Sequence, residues 1–135
     1  MPEKAVVEKA KEDLREGKSP TTAAGEFVRE EIEHVREGKH GARSPQQAIA
    51  IGLSKARRAG VPLKPPKKGQ ATARTRRSAK RAYEVGQRKR KPSSPSRRRG
   101  RATSQALKRE PRRSVSKSAL SRQARGAARR RRRGR

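Results

Sequence analysis

Segregation of charge constrains this chain more than any other feature. Residues 61–135 carry 29 Lys+Arg against two acids, Glu84 and Glu110, whereas residues 1–60 carry 12 Lys+Arg against 10 Asp+Glu. A head of net charge +2 is therefore followed by a tail of net charge +27. Like charges at that density repel one another in any compact arrangement. Only 27% of the residues are hydrophobic and 1% aromatic, so little apolar burial is on offer in return. The fold class this implies is all-α: a small three-helix head at 1–60, a Pro/Lys linker at 61–70, and a largely disordered polycationic tail with transient helices at 71–135.

Three helices are legible in the head. The first starts at Pro2 or Glu3 and carries Val7, Ala10 and Leu14 at helical spacing, with Gly17 as its stop. The second opens at Ser19-Pro20 and ends at Gly38. Ala24, Val28, Ile32 and Val35 form its apolar stripe, and Phe27 lies beside it. Glu26, Glu30, Glu31, Glu33 and Glu37 form its other side, read as a solvated acidic face or an intramolecular decoy for the tail. The third has the strongest local signal. Ser44-Pro45-Gln46-Gln47 is a capping box in which Ser44 bonds the Gln47 amide and the Gln47 side chain reaches back to the Ser44 amide. Ile49, Leu53 and Ala56 make its face, Lys55, Arg57 and Arg58 suit the negative end of its dipole, and Gly60 and Pro62 end it. The short connection between the second and third helices predicts an antiparallel hairpin. So small a core leaves a thin margin of stability, which self-association through the head would widen.

Beyond Val61 the tail reads differently. Val61–Gly69 is Pro-rich and predicts a semi-rigid, polyproline-like spacer. Residues 71–85 predict a short basic helix around Ala79, Ala82, Tyr83 and Val85, and Ala106–Glu110 a turn of helix. Residues 88–101 are low-complexity sequence expected to stay disordered. From Val115 onward Ala119, Leu120, Ala124, Ala127 and Ala128 have helical spacing, in a helix expected to form only once its charges are neutralised.

These charges select the partner. The candidate nucleic-acid-binding residues are Arg74, Arg76 and Arg77, Lys80 and Arg81, Arg88, Lys89, Arg90 and Lys91, then Arg97, Arg98, Arg99 and Arg101, Arg112 and Arg113, and the run Arg129, Arg130, Arg131, Arg132 and Arg133. At about one charge per 1.7 Å of duplex, the tail matches roughly 46 Å of DNA. Duplex DNA is favoured over RNA as the partner, bound without sequence preference. Ser94-Pro95-Ser96-Arg97 has the Ser-Pro-x-basic pattern of turns that follow a minor groove, although a solvated linker is the plainer reading of so short a string. Gln46 and Gln47 cap a helix more readily than they read bases. Phe27 and Tyr83 are too few to make a stacking platform.

Other classes drop out. Without cysteine there is no disulfide, thiolate metal site or cysteine nucleophile. The longest apolar stretch, Ala48–Leu53, cannot span a membrane. Met1-Pro2-Glu3-Lys4 lacks the apolar region of a secretory signal, so a cytoplasmic, nucleoid-associated location is expected. His34 and His40 are the only histidines. His34 is expected to face solvent among the glutamates and His40 to sit in a loop. The expectation is therefore no catalytic residue, no metal, no cofactor, no small-molecule substrate and no enzymatic activity.

The segments Ala24–Gly41 and Ser44–Gly60 together resemble a bacterial family of small basic proteins of unassigned function, whose hallmark is a "GKxxS…QAIAIGLSxARxAG" core ahead of a Lys/Arg-rich tail. Similarity is weaker over Ala106–Arg135. The tail also resembles linker-histone-like bacterial chromatin proteins. The first resemblance implies a bacterial cytosolic protein and carries no activity with it.

Overall fold

The computed structural model describes residues 3–134, which leaves Pro2, the alternative start of the first helix, outside the described residues. Six α-helices account for most of them: α1 (Lys4–Arg15), α2 (Pro20–Arg36), α3 (Pro45–Arg58), α4 (Ala73–Gly86), α5 (Arg97–Arg109) and α6 (Lys117–Arg133), with a 3-10 turn at Arg113–Val115. No strand occurs among the described residues beyond an isolated bridge between Lys68 and Ala71.

Two compact units form. One contains the described residues up to 30 together with 50–94, the other residues 31–49 together with 95–134, so α2 and α3 contribute to both. In the first unit, Ala10, Ala23, Ala24, Phe27, Ala56 and Val61 make the buried cluster, with Val6, Val7, Leu14, Leu53 and Leu63 packed around it. Val28 lies against Gly52, and Ala24 shares its cluster with Ala56, so α2 and α3 run antiparallel here. In the second unit, Val35, Ala42, Ala48 and Val115 are buried together, and Ile32 packs on them. Apart from Phe27, Val35, Val61 and Val115, every buried apolar residue described is an alanine. Short side chains let helix backbones approach closely, so a chain poor in large apolar residues still closes a core.

The disordered tail is corrected. Residues 88–101 hold the start of α5, and the segment from Val115 onward holds α6 as a helix of 17 residues. Two physical reasons apply. Arg, Ala, Lys, Gln and Leu are all good helix formers, and Ser96 and Ser116 supply the caps. The second reason is backbone docking. Gly41 donates its amide to the Leu107 carbonyl at 2.7 Å, and Ala42 donates to the Pro111 carbonyl at 3.0 Å. A side chain at position 41 would collide with the Glu110 carbonyl, which reserves the position for glycine. Val115 and Ala119 add buried methyl groups to the same unit.

The acidic face of α2 is corrected as well. Glu33 and Glu37 are exposed, but Glu30 and Glu31 are buried. Glu30 accepts a hydrogen bond from the Glu3 amide at 3.3 Å, so it serves the positive N-terminal end of α1. The capping box of α3 forms with one change of partner. Ser44 Oγ accepts the Gln47 amide at 3.2 Å, but the Gln47 side chain accepts the Arg43 amide, not that of Ser44, at 2.6 Å.

Helices α1 to α4 end alike. The chain turns left-handed at Gly17, Gly38, Gly60 and Arg88, with φ of 82°, 81°, 104° and 61°. Each turn is closed by a pair of amides returning to the last helical carbonyls, as in Gly38 to Val35 at 3.1 Å and Lys39 to His34 at 3.0 Å. Only the fourth of these turns lacks glycine.

Candidate nucleic-acid interface

Thr72 caps α4 by accepting the Thr75 amide at 3.2 Å, which fixes the helix rotation. Ala79 and Ala82 face inward. Arg74, Arg77, Lys80 and Arg81 are consequently exposed. Arg74, Arg77 and Arg81 recur at i, i+3 and i+7, a row of cations about 10 Å long on one helix face. Arg76 differs. It is half-buried, its Nε has no hydrogen-bond partner, and with Pro65, Pro66, Arg77 and Lys80 it lines a shallow groove of about 310 Å³. Arg88, Lys89, Arg90 and Lys91 follow the end of α4 and are exposed, and Arg90 reaches Glu84 at 3.7 Å.

The Pro-rich segment is fastened to its own unit. Arg57, 8% exposed, donates to the carbonyls of Leu63 at 3.1 Å and Lys64 at 3.3 Å. Burial lowers the Arg57 pKa from its ordinary value. The residue read from sequence as a cation matching the helix dipole is also a buried staple.

In the second unit, Ser96 accepts the Arg99 amide at 3.2 Å and opens α5. The cap is Ser96, the x of the Ser-Pro-x-basic string, and it places Arg97, the basic residue of that string, in the first turn of a helix. Arg97, Arg98, Arg99 and Arg101 are exposed, and α5 buries no residue at all. Arg112 and Arg113 separate. The Arg112 guanidinium donates to the Arg36 carbonyl at the negative end of α2, while Arg113 is exposed in the 3-10 turn. Ser116 caps α6 by accepting the Ala119 amide at 3.2 Å. Arg129, Arg130, Arg131, Arg132 and Arg133 are all exposed in its last turns. Successive helical residues are separated by about 100°, so five in a row project guanidinium groups around the whole circumference. Next to this run, Pro45, Gln46, Ala119, Arg122, Gln123, Gly126 and Arg130 line a shallow groove of about 280 Å³.

Two sets of residues escaped the sequence. Arg122 lies within the spaced apolar pattern of α6, outside the cationic clusters legible in the sequence. Glu31, His34 and His40 converge, with one ligand-type atom from each within 4.8 Å of the others. His34 and His40 are largely covered, with side chains 15% and 17% exposed, and His34 does not face open solvent. The three-residue spacing of Glu31 and His34 was the available signal, but nothing local placed His40 beside them.

No helix among the described residues is long and apolar enough to cross a membrane. No family model matches the chain, and no curated protein or solved structure is detectably similar to it.

Proposed function

We propose that this chain is a histone-like, nucleoid-associated protein that binds duplex DNA without sequence preference, by neutralising phosphates. The observation that carries this reading is the exposure of arginine and lysine along α4, whose Ala79 and Ala82 face inward, and along α5 and α6. Cations spaced along helices lose less entropy on meeting a phosphate row than cations on a free coil. Release of counterions from the DNA supplies the driving force. Arginine suits the task, because its planar fork bonds phosphate oxygens in pairs and stays charged.

Two unrelated DNA duplexes and one RNA duplex of equal length, titrated over a salt series, test the reading. Equal affinity for both DNA sequences and a log–log salt slope of about −0.9 per phosphate contacted are expected. A flat salt dependence rejects phosphate neutralisation. Tenfold preference for RNA would transfer the mechanism to an RNA partner.

A further inference from the structure

Glu31 and His34 lie one turn apart on α2, and His40 belongs to the loop that follows. Glu31 Oε1 is 2.7 Å from His40 Nε2, and Glu31 Oε2 is 3.9 Å from His34 Nδ1. The imidazole planes meet edge to face, with centroids 6.4 Å apart and an interplanar angle of 78°. On its far side, His40 Nδ1 donates to the Gly41 carbonyl at 2.8 Å.

That last contact fixes the chemistry. With Nδ1 donating to that carbonyl, Nε2 is the ring nitrogen that faces the Glu31 carboxylate. Nε2 is thereby the atom of this ring placed to bind a cation together with Glu31. A backbone carbonyl behind the distal ring nitrogen is also the usual support of a metal-bound histidine. Two imidazoles and one carboxylate make a donor set suited to zinc-like ions.

We propose that Glu31, His34 and His40 form a binding site for one divalent transition-metal ion of the zinc class. Ligand atoms on a tetrahedron with bonds of about 2.05 Å lie about 3.3 Å apart. The observed separations, 2.7 Å from Glu31 Oε1 to His40 Nε2 and all within 4.8 Å, lie around that value, so modest side-chain rotations would seat the ion. With three protein ligands, the fourth position is left to water, and the partial exposure of both imidazoles provides its entry. The ion would clamp the loop to the end of α2. Gly41 and Ala42, next in that loop, carry the amides that hold Leu107 and Pro111. The metal would therefore steady the attachment of the C-terminal segment within its unit. This site is independent of DNA binding, and either reading can fail without the other.

The test uses the full chain, freed of nucleic acid by nuclease and high salt and stripped with a chelator. Titration with Zn²⁺ should saturate at one ion per chain, and Co²⁺ should give visible bands of a tetrahedral site. His34→Gln and His40→Gln should each weaken binding at least tenfold. In case a variant does not fold, ¹⁵N spectra of the wild-type imidazoles provide the second readout, because His34 and His40 are the only histidines. Zn²⁺ should shift the resonances of both rings together. Unsaturable binding, variants that bind like wild type, or unmoved ring resonances would overturn the site.

Discussion

The guanidinium of Arg57 donates its Nε hydrogen to the Leu63 carbonyl at 3.1 Å, binding a helix end to the Pro-rich strand of chain that leaves it. A second bond to the Lys64 carbonyl completes the hold. Arg57→Ala should cost about 1.5–3 kcal/mol, the ordinary worth of hydrogen bonds from a charged group. Urea denaturation followed by circular dichroism measures it. Arg57→Lys should recover only part of the loss, since an ammonium cannot span two carbonyls as the fork does.

Asp13 has a side chain 1% exposed and sits 3.2 Å from Lys18 and 3.3 Å from Lys9. Burial raises its pKa, but hydrogen bonds from Lys18 and Lys9 and the charges behind them outweigh this and hold the carboxyl below its ordinary value. Lys18 is correspondingly raised, first by its hydrogen bond to Asp13 and then by that to Glu16. The Asp13 contribution is complete above the unfolded carboxyl pKa and disappears as pH falls through the lower folded value. The Lys18 contribution is complete below the unfolded amine pKa and disappears as pH rises through the higher folded value. Asp13→Asn should therefore flatten the stability profile below about pH 4, as thermal melts across pH will show.

Arg88 occupies the left-handed position that glycine takes at the ends of α1, α2 and α3. A side chain there costs about 1–2 kcal/mol, offset in part by the extra freedom glycine has when unfolded. Arg88→Gly should raise stability by about 0.5–1 kcal/mol while removing one cation. Equal or lower stability in denaturant titration would contradict the cap geometry.

Gly41→Ala drives a methyl group into the Glu110 carbonyl. The bonds from Gly41 to Leu107 and from Ala42 to Pro111 should open, and hydrogen exchange at both amides should quicken at least tenfold. Unchanged exchange would show that the loop yields without losing its partners.

Replacing Arg129 through Arg133 by alanine preserves helix propensity and removes five charges. If these residues contact phosphate, the salt slope should shrink by up to about 0.9 for each arginine removed, equally for every DNA sequence. A change confined to one sequence would point instead to base recognition.

Punctuation made the first three helices readable. Ser19, Ser44, Gly17, Gly38 and Gly60 are local signals, and each acts in the structure where its chemistry places it. What escaped depends on distance along the chain. The bond from Gly41 to Leu107 joins backbones 66 positions apart, and no side-chain periodicity announces it. Counting large apolar residues also undervalued Ala10, Ala23, Ala56 and Ala119, whose burial requires only close helices. Glu31 illustrates the same limit at the metal site. Its place in a run of glutamates signalled solvent, whereas its neighbours in space are two imidazoles.

The alanine interior also determines how this protein responds to temperature. Each buried methyl group hides little apolar surface, so unfolding adds less to the heat capacity than it does for a core of leucine and phenylalanine. A small heat-capacity change flattens the curve of stability against temperature. Stability should therefore change little on cooling below its maximum, and a calorimetric scan should show a small step in heat capacity across the transition.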